Sequence, residues 1–225
     1  MFILKHMSII NFISDLVLGP CIRNIRTNDK VIYLTFDDGP NSYCTPKVLD
    51  LLKKYNAKAS FFVIGNNIKN NVHILKRIKG EGHAIGNHSI DHNTKTFFKG
   101  KSAVEKWINQ GEEAILKYTG NSSIGFRPPA GIRTPELRLI MKQKNERPII
   151  WQHRFFDTVF TFNDKSWQKK IKKIKSGDII LLHDTHFEPT SFVNSLERFI
   201  KKLIGNGFKV CAIEKSIPLK KPSTE

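Results

Sequence analysis

Two carboxylates stand side by side in Thr35-Phe36-Asp37-Asp38-Gly39-Pro40, directly behind an apolar run that begins at Val31. Adjacent acids repel at short range, so keeping both charged calls for a cation or a shared proton. Alone, the hexapeptide also fits an Asp-Gly turn with a spare acid. Farther along, His88 and His92 lie four positions apart, a spacing that on a helical turn sets both imidazoles on one face within reach of one ion. Such pairs are also common without a metal. Two imidazoles and one carboxylate of the Asp pair make the ligand class of catalytic zinc, with a position left open for water whose pKa then falls to about 7. The other Asp can take that water's proton, with Arg127 keeping it ionised and Asp157 holding Arg127. His183 has the pKa range of an acid that protonates a leaving group, although His183-Asp184 also reads as a plain strand end. The loop Pro128 to Gly131 offers backbone N–H groups to a developing oxyanion. Together these groups describe hydrolysis of an amide or ester.

The elements around them alternate. Val31 to Phe36 has the β-branched and aromatic content of a buried strand, and Gly39-Pro40 stops it. A helix begins at Pro46 with Val48, Leu52 and Tyr55 on one face, and Ala59 to Ile64 forms a second strand. Val72, Leu75 and Ile78 mark the next helix, and His83 to Gly86 a third strand that delivers the histidines. Ser102 and Glu105 form a capping-box pattern ahead of a helix running to Gly120. Brief strands follow at Ile124 to Phe126 and Pro148 to Gln152, separated by a helix capped by Thr134. Helices through Trp167 and through Val193 to Leu203 flank a strand from Asp178 to Leu182, and Phe208 to Ile213 closes the series. Continuously apolar strands alternating with helices predict a parallel sheet covered on its faces, and about seven such units predict a barrel. Asp37, Asp38, His88, His92, Arg127, Asp157 and His183 then share the rim at the strands' C-terminal ends.

The chain has 225 residues, enough for one core, and no long Pro/Gly/Ser-rich stretch divides it. Lys and Arg number 37 against 20 acids, a formal charge of +17 that favours an anionic partner or surface. The lysines are scattered without a basic stripe carrying interleaved aromatics, so no specific nucleic-acid binding is expected. Peripheral contact with an anionic envelope or membrane surface fits the charge. Cys21, Cys44 and Cys211 are odd in number and lack metal-ligand spacing, which predicts buried thiols. Lys5, His6, Asn11 and Asp15 interrupt the apolar N-terminus, so it reads as an amphipathic helix on the domain or at a membrane. No convincing signal peptide is evident, and the compartment is unknown from the sequence, with cytoplasmic and membrane- or envelope-associated locations both open.

In order along the chain, these residues resemble the polysaccharide deacetylase family, the NodB-homology or carbohydrate esterase family 4 domain. The resemblance spans residues 29–213, between an N-terminal extension of residues 1–28 and a tail of residues 214–225. It implies a single-domain distorted (β/α)7 barrel, and a monomer is expected. Thr-Phe-Asp-Asp-Gly-Pro resembles the family's first motif, implying Asp37 as catalytic base and Asp38 as metal ligand. His88-Ser89-Ile90-Asp91-His92 resembles the second, implying both histidines as ligands of a divalent ion, zinc by first choice. Arg127-Pro128-Pro129-Ala130-Gly131 resembles the third, with Arg127 tuning the base, and Leu181-Leu182-His183-Asp184 the fifth, with Leu181 as a wall for the acetyl methyl and His183 as acid. Two positions depart. Ala130 stands where the family usually has Tyr, and Arg154-Phe155-Phe156-Asp157-Thr158 stands where it usually reads Asp-x-x-Asp-Trp. Asp157 keeps the acid, Thr158 replaces an aromatic wall, and Phe155 or Phe156 is left to rebuild it; Pro129, Ala130, Leu181 and Phe156 are the expected substrate contacts. The implied reaction removes N-acetyl, in preference to O-acetyl, groups from peptidoglycan, a chitin-like oligomer, another amino-sugar polymer or a glycolipid. The alternative is a silent family member that binds glycan or an envelope surface.

Overall fold

A computed structural model describes residues 9–214; residues 1–8 and 215–225, with the start of the extension and nearly all of the tail, lie outside it. The chain runs α1 (Ile9–Leu18), β1 (Val31–Asp37), α2 (Thr45–Lys54), β2 (Ser60–Val63), α3 (Gly65–Ile68), α4 (Val72–Gly80), β3 (Ala84–Asn87), α5 (Lys101–Thr119), α6 (Pro135–Gln143), β4 (His153–Arg154), α7 (Asp164–Ile171), β5 (Ile179–His183), α8 (Pro189–Gly205) and β6 (Lys209–Cys211). The strands form one parallel sheet in the order β3-β2-β1-β5-β4, and β6 pairs with the first half of β1. This is the expected α/β architecture. The strands at Ile124 to Phe126 and Pro148 to Gln152 are reduced to single bridges, Asn87 to Phe126 and Ile22 to Ile149. Proline supplies no ladder donor at 148, and Gly125 sits at φ 138, outside strand geometry. Hydrogen bonds from Arg127 N to Asn87 O, Ile149 N to Phe126 O and Gln152 N to Ile179 O still carry the circuit from β3 round to β5. The result is a distorted barrel.

Strand register decides which side chains meet. Thr35 pairs with Leu181 and Asp37 with His183 across the parallel β1–β5 ladder, so these four point to the same side of the sheet. Ile180 and Leu182, on the other side, join a core with α2, α7 and α8 that includes Leu52, Trp167, Leu196 and Phe199. A second core beneath α5 and α6 holds Val104, Trp107, Phe126, Leu137 and Ile140. Phe62, Ile149 and Ile179 fill the barrel's inside.

Local signals set the helix ends, not always as expected. Thr134 caps α6 by accepting from Leu137 N. The capping-box pattern at Ser102 and Glu105 is not used: α5 starts behind Gly100, with no side-chain cap. The capping box present is at Asn163 and Ser166, ahead of α7. Asp15 on α1 accepts from Arg23 and Arg133, fastening the N-terminal helix to the domain. No helix among the described residues is long and apolar enough to cross a membrane. Of the three free thiols only Cys44 is fully buried; Cys21 and Cys211 are half-buried.

Candidate active site

The rim at the strands' C-terminal ends holds three groups of polar side chains. In the first, Asp38 Oδ1 lies 3.5 Å from His88 Nε2 and 3.5 Å from His92 Nε2, and the three donor atoms lie within 4.8 Å of one another. Two donors each about 2.1 Å from a tetrahedral zinc stand about 3.4 Å apart, so the spacing suits such an ion. A second observation agrees: Asp38 Oδ1 is buried and has no hydrogen-bond partner, a costly arrangement that a cation would relieve. His88 contributes the correct tautomer. Its Nδ1 lies 2.7 Å from the carbonyl oxygen of Arg127, which can only accept, so Nδ1 carries the proton and Nε2 keeps its lone pair toward the cluster. Burial pulls the His88 pKa down to about 3, and the ring stays neutral, the form that binds metal.

The two histidines do not converge on a helical turn. Residues after β3 form an irregular loop in which Ser89 (φ 71) and His92 (φ 59) are left-handed, and His92 N donates to Ser89 Oγ. Asp38 is left-handed too, at φ 75. Asp and His tolerate this region better than most residues, and holding them there is the kind of local strain found at functional sites. The loop's supports are Asn87 Oδ1, which accepts from Ser89 N, and Trp107 Nε1, which donates to Asp91.

The second group is Asp37 with Arg127. Arg127 Nη1 donates to Asp37 Oδ1 at 2.6 Å and to Thr35 Oγ1 at 2.7 Å, while Nε and Nη2 reach the carbonyls of Ile149 and Ile150. The guanidinium is wholly buried, 3.9 Å above the Phe62 ring. Burial raises the Asp37 pKa and the Arg127 charge pulls against it without cancelling the rise, which makes the carboxylate more avid for a proton than a free one.

The third group is Asp157 with two histidines. Asp157 accepts from His183 N at 2.8 Å, and its two carboxylate oxygens each lie 3.0 Å from a ring nitrogen, His183 Nδ1 and His186 Nε2. The expected Asp157–Arg127 pair is therefore absent. Arg127 sits inside the barrel with its donors spent on Thr35, Asp37 and two carbonyls, whereas Asp157 lies in the loop beside β5. Burial works against a charged His183, but the Asp157 hydrogen bond and charge outweigh it and lift the pKa to about 9. Burial likewise raises Asp157, and the His183 and His186 hydrogen bonds more than reverse this, leaving it at about 2.

Leu181 points with Thr35 into the barrel, as a wall residue must. Pro129 is buried and Ala130 is exposed at φ 55. Pro128 and Pro129 lack N–H groups and Gly131 N donates to Pro128 O, so Ala130 carries the loop's candidate oxyanion donor. Phe155 does not replace the missing wall: it packs edge-on against Phe162 and Phe199 in the core. Phe156 is 41% exposed.

Several contributors had weak signals in the sequence. Thr35 is the one aliphatic hydroxyl in an apolar strand, and His186 follows His183 by three positions. Asp184 is wholly buried, accepts from Thr45 Oγ1 at 2.5 Å, and lies against Gly39, where an added Cβ would meet its Oδ2 at 2.5 Å. Only a glycine lets the turn after Asp38 close on that carboxylate.

Residues 24–149 match the family described as Polysaccharide deacetylase, over half of the chain. This chain is a member of the polysaccharide deacetylase family. The matched stretch holds Asp37, Asp38, both histidines and Arg127 and ends before Asp157 and His183; longer relatives extend the likeness. The Bacillus cereus peptidoglycan-N-acetylglucosamine deacetylase is 30% identical over 209 residues, covering 87% of this chain and 92% of that protein. The Bacillus subtilis peptidoglycan-N-acetylmuramic acid deacetylase PdaC is 33% identical across 92% of this chain, which spans 43% of PdaC's length. The solved PdaC structure, 32% identical, matches with a TM-score of 0.72 over 84% of this chain and 90% of that one. BA3943 of Bacillus anthracis, described as a CE4 family pseudoenzyme, is 27% identical with a TM-score of 0.76, over 86% of this chain and 67% of that one.

Proposed function

We propose that this family member is a divalent-metal-dependent hydrolase that removes N-acetyl groups from an amino-sugar polymer of the peptidoglycan or chitin class. The observation that carries the reading is the convergence on one rim of Asp38, His88 and His92 with an Arg-held carboxylate on one side and an Asp-held imidazole on the other. The names of the relatives support the substrate class, since they act on N-acetylglucosamine or N-acetylmuramic acid units of peptidoglycan.

Asp38, His88 and His92 would hold the ion, with zinc the first choice for this donor set. When bound, it supplies Lewis acidity, polarising the acyl carbonyl and lowering the pKa of water. Asp37 takes the proton of the attacking water, and Arg127 restrains it in position. Charge developing on the acyl oxygen meets the Ala130 N–H. His183, charged at neutral pH through Asp157, gives its proton to the departing amine. Leu181 closes the acetyl side and excludes water.

The test is acetate release from N-acetylglucosamine oligomers and from peptidoglycan, by the metal-loaded protein and after chelation. Release that persists undiminished without metal overturns the mechanism. The pseudoenzyme described in Bacillus anthracis motivates a second reading, a silent glycan binder on the same fold. Binding of zinc and oligosaccharide with no acetate from any substrate would favour it.

A further inference from the structure

Beside the Ala130–Gly131 loop lies a polar cavity of about 300 Å³ lined by Arg23, Arg133, Trp151 and Arg154 as well as the loop itself. Three guanidiniums line it, and two of them, Arg23 and Arg133, share the single carboxylate of Asp15. Arg154 is different. It has no ion pair among the described residues, and its guanidinium carbon stands 4.0 Å from the centre of the Phe156 ring and 5.7 Å from that of Trp151. Lys170 Nζ donates to the Arg154 carbonyl and lies 5.4 Å from the Phe156 ring, adding a second cation. A guanidinium packed against rings keeps its in-plane N–H groups free, and that fork matches a carboxylate.

The cavity is connected to the Asp37–Arg127 pair through Trp151, and it is lined by Ala130, the candidate oxyanion donor. Gly131 lies against the Trp151 indole, where an added Cβ would come within 2.8 Å. Trp151 in turn stands 5.9 Å from the guanidinium carbon of Arg127, the residue that holds Asp37. Ala130 lines the same cavity and has no bulky side chain to close it.

We propose that Arg154, held against Trp151 and Phe156, is a specificity-determining residue that binds a carboxylate on the glycan, the lactyl carboxylate of a muramic acid unit at or next to the sugar being deacetylated. The proposal rests on the deacetylase reading for the sugar class but concerns binding, so the two can fail separately.

The experiment uses the zinc-loaded Asp37→Asn protein, to prevent turnover, and peptidoglycan glycan strands freed of peptide by an amidase. Their affinity is measured by calorimetry against the same strands with the lactyl carboxylates converted to amides. Affinity for the acidic strands should exceed that for the amidated ones about tenfold, the scale of one charge-assisted pair. Adding Arg154→Gln should bring the ratio near one, and Arg154→Lys, which keeps charge but loses the fork, should retain part of it. Equal affinities at the outset, or a preference that survives Arg154→Gln, would overturn the proposal. Preferential binding combined with no acetate release by the wild-type protein would leave the subsite standing and remove the deacetylase reading.

Discussion

At the scale of single residues, the two Asp side chains of the first motif are separated by what each touches. Asp38 has a partnerless oxygen facing two imidazoles, and Asp37 is bonded to a buried guanidinium. Asp37→Asn should therefore retain the bound ion, read as metal stoichiometry after dialysis, while hydrolysis falls by about 10²- to 10⁴-fold, the usual worth of a positioned base. His88→Ala should lose both. His183 makes a pH-dependent prediction. Its pKa is raised to about 9, so the acid stays protonated through neutral pH and kcat/KM should fall only as pH rises through that value. Asp157→Asn removes the support, and the alkaline limb of the profile should move toward or below the ordinary imidazole range. An unmoved limb would show that His183 is not the acid. The same shift contributes to stability: the folded state holds the proton more tightly, so this contribution is present below about pH 6.5, the unfolded value, and is lost as pH rises through about 9.

At the scale of elements, the loops after the strands do the positioning, and this is where reading the sequence succeeded unevenly. Strands β1, β2 and β5 were legible because they are apolar on both faces, and Asp37, Asp38 and His183 were legible because they stand where β1 and β5 end. The route by which His88 and His92 meet was not, since the spacing implied a helical turn and the chain instead uses left-handed residues, whose φ depends on tertiary contacts. The partner of Asp157 was missed for a related reason: Arg127 points into the barrel and Asp157 toward β5, a matter of sheet register that no spacing reveals. The bridges near 126 and 149 were overread as strands because their apolar runs are real while Gly125 and Pro148 shorten the pairing. The turn after β1 carries its own test. Gly39→Ala forces a methyl against the buried Asp184 carboxylate, and overpacking of this kind costs about 1–3 kcal/mol. Urea unfolding should show that loss, and chelator competition should show weakened metal binding because Asp38 is the neighbouring residue. Unchanged affinity would mean that the turn does not set the ligand geometry.

At the scale of the whole molecule, a barrel built from short parallel strands gathers three side chains that could hold a metal ion, an arginine-held carboxylate and an aspartate-held imidazole from segments far apart in sequence. If the ion is resident, it links those segments and stabilises the folded state through its binding, by about 2.7 kcal/mol at a hundredfold excess over Kd. Chelation should accordingly lower the melting temperature, and readdition of zinc should restore it. The excess of positive charge, +17 over the chain, belongs to this scale also and agrees with an acidic glycan as partner. The central claim is that these segments form one metal-dependent deacetylase centre. Its most direct test is acetate released from peptidoglycan by the zinc-loaded protein, before and after chelation and after zinc is returned. Release that is lost with the metal and recovered with it is the predicted result; release indifferent to the metal, or none from any N-acetylated glycan, would contradict the claim.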